Sequence, residues 1–167
     1  MLARLGVPSE KGSYKEMSLE RWNLSNGNEL SATVDRGGRI VYLEADWDGK
    51  NEETGCDLPD LHFGLTTLAD LRKKFGSNGL GFKNRPAVIQ IPNGVVMINS
   101  FEAGSAVITF YTKINENEFK LLKERGADPS PADFAKLDAI SIADDSYANS
   151  EWGERVYDPA YKKIEWK

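Results

Sequence analysis

A chain of 167 residues, 40% hydrophobic and 28% charged, has the composition of one ordinary globular domain or two small ones, not of a disordered or fibrous chain. Its net charge of −5 comes without a basic stripe, which argues against nucleic acid and anionic membranes as partners. No apolar run approaches the roughly 18 residues of a membrane span, and the opening MLARLGVPSEKG lacks a signal-peptide core.

Residues 2–5 read as the tail of a helix stopped by Gly6 and Pro8. Three strands follow. The first places Glu20, Trp22 and Leu24 on one face, and the second covers 28–35. The third covers 39–47, with Val41, Leu43, Ala45 and Trp47 facing one way and Ile40, Tyr42, Glu44 and Asp46 the other. An acidic loop over 48–62 comes next. Residues 46–60 hold Asp46, Asp48, Glu52, Glu53, Asp57 and Asp60 against Lys50 alone, which accounts for the whole net charge. Thr67-x-x-Asp70 is a capping-box variant that starts a helix carrying Leu68, Leu71 and Phe75, and Gly76 is placed to end it. Strands are expected near 82–91, 94–102 and 106–114. A helix should begin at Asn115-x-x-Glu118, and a short one at Ser130-Pro131-x-Asp133. The tail reads as strands near 138–143 and 162–166 around an irregular aromatic stretch with Tyr147, Trp152 and Tyr157.

The chain repeats itself. Residues 26–47 and 93–114 align without a gap at an offset of 67. Asn26-Gly27 matches Asn93-Gly94, a hairpin signal, and the apolar residues pair as Leu30/Met97, Val34/Phe101, Val41/Ile108, Leu43/Phe110 and Trp47/Ile114. The expected fold is therefore α+β: two tandem helix-plus-antiparallel-meander units with a C-terminal extension. The first unit occupies 1–50, an acidic linker 51–63, the second unit 64–115 and the extension 116–167. Trp22, Leu43, Trp47, Ile89, Phe110 and Ile114 are the expected core.

His62-Phe63-Gly64-Leu65-Thr66-Thr67-Leu68, with Phe75-Gly76 closing the helix, resembles the opening of an SmpA/OmlA-type unit: a Gly-x-Thr turn, then a helix ending in Leu/Phe-Gly. The tandem arrangement resembles the β-lactamase-inhibitor-protein-like fold. The first copy begins inside the unit, at Leu5-Gly6, so the expectation is that the natural start lies upstream with a signal peptide or lipid anchor. The resemblance implies a non-enzymatic binding protein of the bacterial cell envelope, periplasmic or envelope-attached, that contacts a protein partner through its exposed sheet face. On that face the strand pattern puts Arg21, Asn23, Ile40, Tyr42, Glu44, Val88, Gln90, Val107, Thr109, Tyr111 and Lys113. The residues expected to touch the partner are Arg21, Asn23, Tyr42, Glu44, Gln90, Tyr111 and Lys113, with the two tyrosines as anchors.

Catalytic constellations are sparse. His62 is the sole histidine, and with Cys56, the sole cysteine, it falls short of a zinc site. Cys56 reads as a loop or buried thiol and cannot form an intrachain disulfide. The run Asp46-x-Asp48-Gly49-x-Asn51 departs from a calcium loop at Lys50, Asn51 and Asp57. Gly76-Ser77-Asn78-Gly79-Leu80-Gly81 follows a helix instead of preceding one, so it is a turn and not a phosphate cradle. No cofactor or metal is expected. Two rival readings are a small-ligand carrier with an aromatic groove and a carboxylate-dependent hydrolase.

Overall fold

The structure is a computed structural model that describes residues 5–50, 60–124 and 130–163. Four strands open the chain as a meander: β1 (Glu10–Tyr14), β2 (Met17–Asn23), β3 (Glu29–Val34) and β4 (Ile40–Asp46). Helix α1 (Leu68–Phe75) precedes β5 (Leu80–Phe82), β6 (Val88–Ile91), β7 (Gly94–Ala103) and β8 (Ala106–Asn115). Helices α2 (Glu116–Glu124) and α3 (Pro131–Phe134) lead to β9 (Lys136–Asp144), α4 (Asp145–Trp152) and β10 (Arg155–Tyr157). All strand pairings are antiparallel, in one ten-stranded sheet of order β1-β2-β3-β4-β9-β8-β7-β5-β10, with β6 also on β7.

This corrects the expected fold class. The molecule is mainly one antiparallel sheet, not two helix-plus-meander units. Strand β9, read from sequence as part of a C-terminal extension, runs between the meanders: Leu43 pairs with Ile142 on one side and Ile108 with the same Ile142 on the other. A sheet edge left bare invites pairing, and β9 covers one edge of each meander at once. The strand signal near 162–166 is not realised at Lys162–Lys163, and the rest of that signal lies outside the described residues, as do Cys56 and most of the acidic loop. The aromatic stretch read as irregular is α4 followed by β10.

The repeat survives in the register of its hairpins. Ala32 pairs with Leu43, and at the offset of 67 Asn99 pairs with Phe110; Thr33–Tyr42 matches Ser100–Thr109 in the same way. The outer strand breaks the correspondence. Trp22 pairs with Leu30, but Ile89 pairs with Val96, not Met97. The β2–β3 connection uses residues 24–28, while Pro92 and Asn93 alone join β6 to β7, and the register slips by one residue. A one-residue slip sends every side chain of a strand to the opposite face. Trp22 is thus 3% exposed and Ile89 40% exposed, which overturns the expectation that Ile89 is core. Leu43 and Trp47 are half-buried, while Phe110 and Ile114 are fully enclosed.

The main core lies between the sheet and α1: Leu61, Phe63, Leu71, Phe101, Ile108, Phe110, Leu137 and Ile140. Phe75 stacks on Phe110 with ring centroids 5.2 Å apart. Local chemistry places α1 as its sequence suggests. The Thr67 hydroxyl and the Asp70 carboxylate cap each other's backbone N–H groups, and Gly76 closes the helix in the left-handed conformation. The Gly-x-Thr turn has a physical reason here. The Trp47 ring lies 2.5 Å from where a Gly64 Cβ would be, at φ +72°, and Thr66 Oγ1 accepts a hydrogen bond from the His62 backbone at 2.8 Å. A smaller core, Leu80, Phe82, Val107, Ala143 and Ala148, lies on the opposite sheet face beneath α4.

Phe110→Ala should cost about 3–5 kcal/mol in urea denaturation, as large-to-small changes at enclosed aromatics do. Ile89→Ala should cost well under about 1 kcal/mol, because the slipped register leaves Ile89 in solvent. Equal losses at the two positions would refute the register.

Candidate functional site

The sheet face opposite α1 carries an unusual density of polar side chains. Period two puts Tyr42, Glu44 and Asp46 of β4 on it. The pairings Thr33–Tyr42, Ser31–Glu44 and Glu44–Ser141 continue the face across β3 and β9, and Thr109–Ser141 carries it onto β8. Helix α4 covers one half. It starts at Asp144, whose carboxylate accepts from the Ser146 backbone N–H, and ends at Gly153, at φ +80°. A Cβ on Gly153 would fall 2.8 Å from Asn84 Nδ2. That close approach lets the β5–β6 loop bond to the helix end: Asn84 N–H donates to Trp152 O at 3.0 Å, and Lys83 N–H to Glu154 O at 2.9 Å. Pro86 biases Arg85 toward extended backbone. The loop carries the Arg85 side chain onto the sheet face.

There the polar groups join into one chain. Arg85 donates to Thr109 Oγ1 at 3.2 Å and to the Tyr111 hydroxyl. The Tyr111 hydroxyl lies 3.1 Å from that of Tyr42 and 3.2 Å from Ser141 Oγ. Tyr42 donates in turn to the Glu44 carboxylate. Ser100 and Thr109 share a bond of 2.8 Å beneath. Trp152 roofs the cluster, with the Arg85 guanidinium 3.8 Å from its ring centroid and Tyr42 at 6.1 Å edge-on. Burial pushes both tyrosine hydroxyls well above their ordinary range, so they remain neutral donors and acceptors at any physiological pH.

Beyond Trp152 the face is open, and it is acidic. Burial first, then the charges of Glu44, Glu29 and Asp138, push Asp46 up to about 7. Burial also raises Asp138, against the pull of Lys113, whose Nζ is 3.9 Å away. Toward β1 the face dips into an open hollow of about 340 Å³ with Leu19, Arg21, Ser31, Thr33 and Tyr42 in its lining.

These positions correct several sequence-based assignments. Tyr42 and Tyr111 do face away from the α1 core, but α4 and Arg85 cover them, so they form a floor and not exposed anchors. Thr109 and Val107 are fully buried on this face. Ile40 lies on the other face, against Trp22, Ala32 and Val34, because the β3–β4 register shifts between Thr33 and Val34. The β6 slip likewise turns Gln90 and Val88 to the α1 side, paired with Val95 and Met97. Arg21, Asn23 and Lys113 are exposed and Glu44 half-buried, all four on the polar face. Sequence reasoning missed Arg85, Ser141 and Ser100. The Arg-Pro pair within a strand-like run was the available signal, since a proline there argues against one continuous strand.

A second polar cluster ties down the C-terminal segment. The Glu102 side chain is 4% exposed and meets Arg155 Nη1 at 2.6 Å and the hydroxyls of Tyr157 and Tyr161 at 3.1 Å each. Burial works against its ionisation, but the Tyr157 and Tyr161 bonds and the Lys163 charge outweigh it and hold the carboxyl low. His62 is exposed before α1. Among the described residues no group of three His, Cys, Asp or Glu could hold a metal ion, and no helix is long and apolar enough to cross a membrane.

No family model matches the chain, and no curated protein matches it. Two solved structures resemble it distantly. An extracellular protein containing an SCP domain from Bacillus anthracis is 13% identical over 96% of this chain and 47% of its own, with a TM-score of 0.45. A DUF4309 family protein (YjgB) from Bacillus subtilis is 16% identical over 85% of this chain and 74% of its own, with a TM-score of 0.41. The chain spans about half the length of the first, and neither likeness is close enough to carry a function across.

Two measurements check this geometry. Tyr42→Phe removes the donor to Glu44 and a partner of Tyr111, and should cost about 1–3 kcal/mol in denaturation. The second concerns Asp46, which the fold raises from its ordinary 3.8 to about 7. Between those values the folded chain holds a proton that the unfolded chain has released. Its contribution to stability is therefore full below the lower value and is lost as pH rises through the upper one. Asp46→Asn should flatten the denaturation midpoint across that window and raise it above neutral pH. A mutant profile parallel to wild type would remove Asp46 from the account.

Proposed function

We propose that the chain is a non-enzymatic binding protein of the bacterial cell envelope, which engages a protein partner through the open half of its polar sheet face. The observation that carries the reading is the uneven cover of that face. Helix α4 packs over the β8–β9 half, whereas β2, β3 and β4 present Arg21, Asn23, Ser31 and Glu44 in rows with no described helix above them. Antiparallel sheets tolerate a solvated face, so polarity alone is weak support. The hollow between Leu19, Arg21 and Tyr42 adds a place for a partner's side chain, flanked by an exposed arginine and floored by a rigid tyrosine. Arginine and tyrosine beside a pocket are the pairing from which interface hot spots are built. Of the residues expected to make contact, Arg21, Asn23, Glu44 and Lys113 stay in the proposal. Tyr42 and Tyr111 support the surface from below, and Gln90 drops out because it faces the other way. The envelope location rests on the resemblance of the Gly64-x-Thr66 turn and Phe75-Gly76 helix end to SmpA/OmlA-type units.

The test is a photo-crosslinking residue at Ser31, with Arg72 on α1 as the control on the opposite face. The expected outcome is a discrete adduct in envelope extract from Ser31 and not from Arg72. Arg21→Glu should then weaken the purified complex at least about tenfold while its circular dichroism matches wild type. The same adducts from both positions, or none from Ser31, would move the interface off this face.

A further inference from the structure

We infer that Arg85 is the anion-recognition group of a pocket for a small organic monocarboxylate with an apolar body. The site lies on the far side of Trp152 from the proposed protein contact and does not depend on it. The first observation is the company Arg85 keeps. Among the described residues no carboxylate is within ion-pair distance, although acids outnumber bases in this chain by 26 to 21. Its partners are two neutral hydroxyls, on Thr109 and Tyr111, and two aromatic faces, of Trp152 at 3.8 Å and Tyr111 at 5.4 Å. Arg155 on the neighbouring strand shows the contrast, since it is neutralised by both Glu102 and Asp145. A guanidinium has five donors in a planar fork, and the two bonds at Arg85 leave donors over. Both bonds use the Nη atoms, and Nε is not among the buried unpartnered atoms, so the Nε–H donor reaches solvent.

The second observation is what lies beside it. A hollow of about 430 Å³ opens next to Arg85, walled by Leu80, Phe82, Ile98 and Val156. That volume suits a small ligand, and apolar walls with one placed charge are the usual composition of such sites. The chemistry of the ligand follows from the charges. A planar carboxylate matches the guanidinium fork. Asp158 also lines the hollow, and there is no second cation in the lining, so a multiply charged anion is disfavoured. The walls ask for an aromatic or aliphatic body. Clamping by Trp152 and the Tyr111 hydroxyl holds the guanidinium in place before the ligand arrives, which lowers the entropic cost of binding.

The experiment titrates the intact chain with phenylacetate, with its neutral amide and with inorganic phosphate, and follows the Arg85 Nε–H and Trp152 indole signals by proton–nitrogen NMR. Phenylacetate should shift both signals saturably, with a Kd on the order of 1 mM or tighter. The amide should bind at least about tenfold more weakly, since it cannot make the charge-assisted pair. Phosphate should bind more weakly than phenylacetate. Arg85→Gln should abolish the response, and Arg85→Lys should weaken it while keeping the charge. If Arg85→Gln fails to fold by circular dichroism, the acid-against-amide comparison on the natural chain decides. No saturable shift up to about 10 mM, equal binding of acid and amide, or phosphate binding as tightly as phenylacetate would each overturn the assignment.

Discussion

Strand β9 bonds along both of its edges, to β4 on one side and β8 on the other, and the rest of the architecture depends on that double ladder. Each meander alone would be a small sheet with a bare inner edge, open to pairing with another chain. Inserting β9 pairs both of those edges and joins the two meanders into one sheet. The side chains of β9 then serve both faces. Ile140 enters the α1 core, while Ser141 and Ala143 line the polar face. The connection into β9 also closes the α1 layer, because the Gly64 N–H donates to Leu137 O at 2.9 Å and the Leu137 N–H donates to Thr66 O at 2.7 Å.

The polar face shows how such a sheet can enclose hydroxyls beneath a helix without a large penalty. A buried polar group costs free energy unless it is hydrogen-bonded. Here Ser100, Thr109, Tyr111, Ser141 and Tyr42 satisfy one another, and the chain of bonds ends on a cation at Arg85 and an anion at Glu44. Among the described residues neither charge meets its opposite directly. The hydroxyls between them are neutral, held so by burial. The price of this arrangement is a guanidinium without a carboxylate partner among the described residues, placed where α4 and the β5–β6 loop meet.

What could be read in the sequence was local. Thr67, Asp70 and Gly76 announce α1 because caps act through neighbouring backbone groups. The hairpins of β3–β4 and β7–β8 follow from alternation and from their turns. What could not be read was non-local. Nothing in Lys136–Asp144 states that the strand pairs with β4, a partner some hundred residues away in the chain. The error about Tyr42 and Tyr111 has the same origin. Their direction was correctly inferred from period two, but their exposure depended on α4, whose apolar residues are too scattered for a clear helical stripe. The Arg85-Pro86 pair marks a break in the strand, but where Arg85 lands depends on a loop anchored to Trp152, far along the chain.

The register slip at β6 gives the two halves different capacities. In the first half, the longer connection keeps β2 in step, so Trp22 turns to the core and Arg21 and Asn23 turn to the polar face. In the second half, Pro92 and Asn93 shorten the turn, and β6 presents Val88 and Gln90 on the α1 side instead. The offset mate of Arg21 is Val88, so the outer strand of the second half has no equivalent arginine to place on the polar face. Arg85 reaches that face from the preceding loop, and it lands on β8 hydroxyls, not on an outer-strand neighbour. Both arginines thus serve the same sheet face by different routes. One is paired with Glu10 and Glu29 on an open surface, and the other is clamped beside a hollow. Had β6 kept the register of β2, Val88 and Gln90 would stand on the polar face where Arg21 and Asn23 stand in the first half; a one-residue slip in pairing, with no residue gained or lost at the offset of 67, turns them away and leaves that side of the face to Arg85.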